Sequence, residues 1–127
     1  MEKITILILL AFLVITFLQS GLDKLIDWKG NLAFLTGHFS ATFMKGMVPM
    51  LLAVILILEI AAGVLSIAGI VEVLWYQSTT WALYGACLSS VVLLMLLFGQ
   101  RVAKDYDGAR TIVIYLIPTI FTVFLLS

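Results

Sequence analysis

The chain has 127 residues, 64% of them hydrophobic and 11% charged. A soluble domain carries roughly 25% charged residues, so this chain lacks the polar surface needed to clothe a water-exposed core. Its seven basic and seven acidic residues cancel, which argues against nucleic acid as a partner, because no positive excess remains to track a phosphate backbone. Its single cysteine, Cys87, excludes an internal disulfide, a CxxC redox pair and a cysteine-based metal cluster within one protomer.

The N-terminal segment places Lys3 ahead of an apolar run from Ile4 to Leu18. It has the outline of a signal peptide. The stretch Phe17-Leu18-Gln19-Ser20-Gly21 offers neither a small-x-small cleavage site nor a lipobox cysteine, so the reading is a retained membrane-spanning helix over 4–23. From Lys24 to Lys45, Trp28, Leu32, Leu35, Phe39 and Phe43 recur every three or four residues, the pattern of a helix lying in the interface. Gly30, Gly37 and Gly46 should break it into one or two short pieces.

A second apolar helix is expected over 47–71. The connection from Glu72 to Ser78 contains Trp75 and Tyr76, and with Trp81 and Tyr84 these form an aromatic belt. A third helix follows over 79–99 and a fourth over 110–126. Between them, Gln100 to Arg110 holds Arg101, Lys104, Asp105, Asp107 and Arg110, the densest charge in the chain. Unpaired strands are not viable in lipid, so the expected fold is all-α: one domain, 1–127, forming a four-transmembrane-helix bundle with a short interfacial segment between the first two helices.

Four crossings place the first and third connections on one side of the bilayer. Together they carry Lys24, Lys29, Lys45, Arg101, Lys104 and Arg110, against Lys3 and the amino terminus on the other side. The positive-inside rule then puts connections 24–45 and 100–110 in the cytoplasm and both termini outside.

Glu59 is the strongest functional candidate. It is the only acid or base between Met47 and Ile70, and a carboxylate at the centre of a bilayer costs roughly 2.5 kcal/mol or more, so it needs a partner, a proton or a wet cavity. Twelve residues into its helix at ~1.5 Å each, it is expected about 18 Å from the charged face. That depth puts it level with Cys87 and Ser90 of the third helix and with Thr119 to Thr122 of the fourth. Ser90 and Thr122 are the expected hydrogen-bond partners. Thr111, Tyr115, Thr119 and Thr122 form a polar stripe on the last helix, expected to face the bundle interior. Glu59 is read either as a proton-carrying or ligand-orienting group or as a polar staple between helices.

At the charged face, Gly21 and Lys24 read as a close-approach glycine with a surface cation, or as a packing glycine with a snorkelling anchor. Arg101, Lys104, Asp105, Asp107 and Arg110 could hold an anionic lipid headgroup, pair with Asp23 and Asp27, or form a solvated face that fixes topology. His38 has no second histidine or nearby cysteine, so no metal site is expected. Cys87 is expected to be buried. Ala82, Gly85, Ala86, Ser89 and Ser90 form small-residue stripes suited to close helix packing.

Several of these segments carry a family resemblance. Ser20-Gly21-Leu22-Asp23-Lys24-Leu25, Glu59-Ile60-Ala61-Ala62-Gly63-Val64-Leu65 with Ala68-Gly69, and Ala103-Lys104-Asp105-Tyr106-Asp107-Gly108-Ala109 resemble the DoxX family of small four-helix bacterial membrane proteins. The resemblance implies a protein of the bacterial cytoplasmic membrane and a link to thiosulfate:quinone oxidoreductase, of which a DoxX protein is the small subunit. It also implies that a quinone, if bound, would sit near Glu59 with its headgroup hydrogen-bonded by Ser90, Tyr115 or Thr119, its electrons coming from a protein partner. No cofactor motif is evident in the chain. The competing expectations are a non-enzymatic protein that binds a lipid or stabilises a partner complex and, with less support, a small transporter or proton pathway; a protein partner or a homo-oligomer is compatible with each.

Overall fold

The computed structural model describes residues 2–127. Four helices are long and apolar enough to cross a membrane: α1 (Lys3–Ile26), α3 (Lys45–Tyr76), α4 (Thr80–Val102) and α5 (Tyr106–Leu126). A shorter helix, α2 (Trp28–His38), joins α1 to α3. Helix is the only regular structure among the described residues, as the apolar composition requires when every buried backbone group must be satisfied within its own segment.

The bundle is held by small residues at close approach. Gly69 of α3 lies against the Ala82 backbone of α4, where an added Cβ would sit 2.6 Å from the Ala82 Cα. One helical turn away, Gly85 faces Ser66, with 3.0 Å from a Cβ to the Ser66 nitrogen. Ala82, Gly85, Ala86, Ser89 and Ser90 are all buried, so the small stripes on α4 are packing faces. Contact at this range gains the dispersion attraction that helps hold the helices together. Large apolar side chains such as Ile8, Ile57, Phe98 and Phe124 point outward.

Several boundaries differ from the sequence reading. The first helix runs to Ile26 rather than to residue 23, through a π turn at Val14–Leu18. That wide turn lies against Gly63, where a Cβ would meet the Leu18 backbone at 3.2 Å. The aromatic segment expected as a connection continues α3 as a second π turn, Glu72–Tyr76. It leaves a link at Gln77, Ser78 and Thr79, with Gln77 in the left-handed region at φ 55°. The Glu72 carboxylate reaches forward and accepts a hydrogen bond from the Trp81 amide at 2.9 Å, satisfying an orphan donor at the start of α4 that the Thr79 side chain leaves open.

The interfacial segment forms one short helix, within the one or two pieces expected. Gly30 falls in its first turn, where its amide donates to the Asp27 carboxylate cap at 3.2 Å, and Gly37 falls in its last, where neither interrupts the helix. Helix α2 packs against α3, and its C-terminal end touches the end of α4: His38 Nε2 lies 2.8 Å from Gln100 Oε1, and the Phe39 ring covers Gly99. The two charged connections therefore meet at one end of the bundle.

Candidate functional site

The site is built where α1 ends against α3. Gly21 is buried, and a Cβ there would lie 2.7 Å from Ile60 Cγ1 and 3.5 Å from the Ile60 backbone nitrogen. Only glycine lets the two backbones come this close without displacing Ile60. Glu59 precedes Ile60 on α3, and Lys24 lies one turn beyond Gly21 on α1. The glycine contact therefore fixes the register that brings Lys24 and Glu59 together.

Lys24 Nζ lies 2.8 Å from Glu59 Oε1. Glu59 is 2% exposed and Lys24 17%, so the acid is enclosed while the base retains a path outward. The Lys24 ammonium also donates to Ser20 Oγ at 2.8 Å, an i,i+4 bond along α1 that orients it. Oε1 itself is buried and receives no aligned hydrogen bond: the contact with Lys24 has the distance of an ion pair without the angle of a directed N–H bond. Two demands thus meet in one cluster. The carboxylate has its charge balanced, and one of its oxygens keeps acceptor capacity.

This geometry revises the expected partners. Ser90 and Thr122 are buried, but their hydroxyls donate to carbonyls of their own helices, Ser90 to Ala86 at 2.9 Å and Thr122 to Pro118 at 2.8 Å. Thr119 does the same toward Tyr115 at 2.8 Å. Each hydroxyl satisfies itself locally, so none is drawn to Glu59. The polar stripe on α5 also divides. Thr119 and Thr122 face the interior, whereas Thr111 is exposed and Tyr115 is 38% exposed, its ring stacked on Phe12.

The depth of Glu59 changes as well. Helix α3 is 32 residues long and α1 is 24, so α3 continues past the end of α1 with α2 alongside it. Counting from the start of α3 made Glu59 remote from charge; the last turn of α1 in fact brings Lys24 to it. Lys24 is accordingly an ion-pair partner rather than a free surface anchor.

The remaining face residues do separate tasks. Asp105 caps α5 by accepting from the Gly108 amide at 2.9 Å, and its second oxygen lies 3.8 Å from His38 Nε2. Lys104 takes a left-handed conformation, φ 61°, at the turn between α4 and α5. The Arg101 guanidinium sits 5.4 Å from the centre of the Tyr106 ring, and Arg110 pairs with Asp107 in the open. Asp27 is engaged in capping α2, so it does not bridge to these arginines.

Two further findings concern groups outside the pair. Cys87 is exposed, not buried, because Gly85, Ala86 and Ser89 define the packed face of α4 and Cys87 turns away from it. Among the described residues no group of three or more His, Cys, Asp or Glu is placed to hold a metal. Sequence reasoning weighed Lys24 and Glu59 separately. The signal that links them is the pair Gly21 and Gly63, glycines on two helices that mark where α1 and α3 approach. Comparison of the chain with protein-family models, curated proteins and solved structures finds no match.

Proposed function

We propose that the chain is a multi-pass protein of the bacterial cytoplasmic membrane, of the DoxX type, serving as an accessory or quinone-binding subunit of a membrane redox system. The supporting observation is the Lys24–Glu59 pair. It is an ion pair with one member buried and the other reachable, and it holds a carboxylate oxygen with no aligned donor. A quinone carbonyl would accept a hydrogen bond from a Lys24 N–H that Ser20 does not engage. Conversion of quinone to quinol takes two electrons and two protons. The electrons would come from a partner subunit and both protons from water, passed one at a time through the Lys24 ammonium while the Glu59 carboxylate stays as its counter-charge. Connections 24–45 and 100–110 would face the cytoplasm, which places the pair near the inner surface.

A second reading is supported by the shape of the molecule: the chain is a non-enzymatic lipid-binding or complex-stabilising protein, and the pair is a staple between α1 and α3. Two surface recesses lie away from the pair, one beside Arg101 and Arg110 and one beside Lys3 and Gln77. Native mass spectrometry of the purified wild type and of Glu59→Gln separates the readings. Glutamine keeps the side chain's shape but cannot ionise. The redox reading expects quinone to travel with the wild type and to be lost from the variant. Absence of quinone from both, with a fall in thermal stability of the variant, would leave the staple.

A further inference from the structure

The end of the bundle that carries the charged connections contains an open recess of about 520 Å³, formed by Leu97 and Arg101 of α4 with Tyr106, Ala109, Arg110 and Val113 of α5. It is separate from the Lys24–Glu59 pair and unused by the function proposed above. Its composition changes with depth along the helices. Arg101 lies in the last turn of α4 and Arg110 in the second turn of α5, so two guanidinium groups flank the mouth. One turn deeper on each helix, Leu97 and Val113 provide apolar walls, and both belong to segments apolar enough to span a membrane.

We infer that this recess is a binding site for an anionic phospholipid, with the phosphate held between Arg101 and Arg110 and an acyl chain lying along Leu97 and Val113. Charge supports that occupant. Arg101 has a cation–π contact with Tyr106 and no acidic partner among the described residues, and the Asp107 partner of Arg110 is 89% exposed, so an arriving phosphate meets little competition. Guanidinium groups match phosphate oxygens in bidentate geometry. The Tyr106 ring is held beneath Arg101 on an exposed residue that lines the recess. A wholly soluble anion would gain nothing from Leu97 and Val113, and a zwitterionic lipid would set its own cation against the two arginines. The shape and charge together select a lipid with an acyl chain and a net negative headgroup. The site rests on the chain being membrane-embedded, but not on quinone binding.

The test is lipid retention. The full chain is reconstituted in vesicles of equal phosphatidylcholine and phosphatidylglycerol, extracted, and the co-purifying lipids counted by native mass spectrometry. Wild type should retain phosphatidylglycerol preferentially, and the Arg101→Gln/Arg110→Gln protein should lose that preference by on the order of tenfold. Both positions are exposed, so folding should survive. Val113→Trp, which fills the apolar wall and leaves both charges in place, should reduce retention as well. Equal phosphatidylglycerol preference in wild type and the double variant overturns the site. Loss of the wild-type preference in millimolar inorganic phosphate also overturns it, in favour of a simple anion site. Failure to retain phosphatidylglycerol by a protein that does reconstitute into the vesicles also overturns the site, whereas failure to reconstitute would contradict membrane insertion.

Discussion

Two ion pairs in this molecule use the same kinds of group and do different work. Lys24–Glu59 spans two helices, with Glu59 2% exposed, whereas Arg110–Asp107 joins neighbouring positions on one helix at 73% and 89% exposure. The first balances a carboxylate that has no access to water, so Glu59 depends on Lys24. The second is solvated whether or not it forms, and such exposed pairs contribute ~1 kcal/mol or less. Contact distance does not separate them; surroundings do.

Breaking the enclosed pair should have the largest effect. Lys24→Met leaves the Glu59 carboxylate buried without a counter-charge, and the expected loss is about 3 kcal/mol, read as a lower midpoint in thermal or denaturant unfolding in micelles. A midpoint within error of wild type would mean that Glu59 does not depend on Lys24.

The next largest effect should come from the contacts that set the register. Gly69→Ala forces a Cβ onto the Ala82 backbone and should cost roughly 1–3 kcal/mol. Gly21→Ala meets the Ile60 side chain, which can rotate, so its cost should be smaller, but it should displace Lys24 and reduce any ligand that depends on the pair. If Gly21→Ala proves more damaging than Gly69→Ala, the α1–α3 contact is the tighter one and the order of these seams must be reversed.

Smaller changes are expected where hydroxyls bond along their own helices. Ser90→Ala and Thr122→Ala remove local hydrogen bonds, and a shift of about 1 kcal/mol or less is predicted. A fall comparable to that of Lys24→Met would tie those hydroxyls to Glu59 after all. The smallest effect belongs to Asp107→Asn, which should leave the unfolding midpoint unchanged at physiological ionic strength and so mark the exposed end of the comparison.

Much of the architecture was legible in the sequence because the bilayer criterion is coarse. Four long apolar runs separated by polar segments specify four helices whatever their packing. Their ends were less legible: the Glu72–Tyr76 segment reads as an aromatic connection, but it holds no glycine or proline to stop the helix, which continues to the left-handed Gln77. Glu59 stood out as the one charge in its run. Its partner did not, since depth was counted from a chain position, whereas the true level is set by where Gly21 and Gly63 let α1 rest on α3. Tyr115 and Thr111 show the same limit, because four residues at helical spacing share a stripe without all sharing the bundle's interior. Residue type alone predicts burial for Cys87, but the face of the helix decides it, and that face is exposed.

The most direct test of the account is a double-mutant cycle on Lys24→Met and Glu59→Leu, with unfolding free energies measured in the same detergent for wild type, both single variants and the double variant. A true enclosed pair predicts that each single variant is markedly destabilised and that the double variant recovers toward wild type, with a coupling energy of about 2 kcal/mol or more. Additive single-variant losses, leaving the double variant the least stable of the four, would contradict the claim that Lys24 and Glu59 act as one unit.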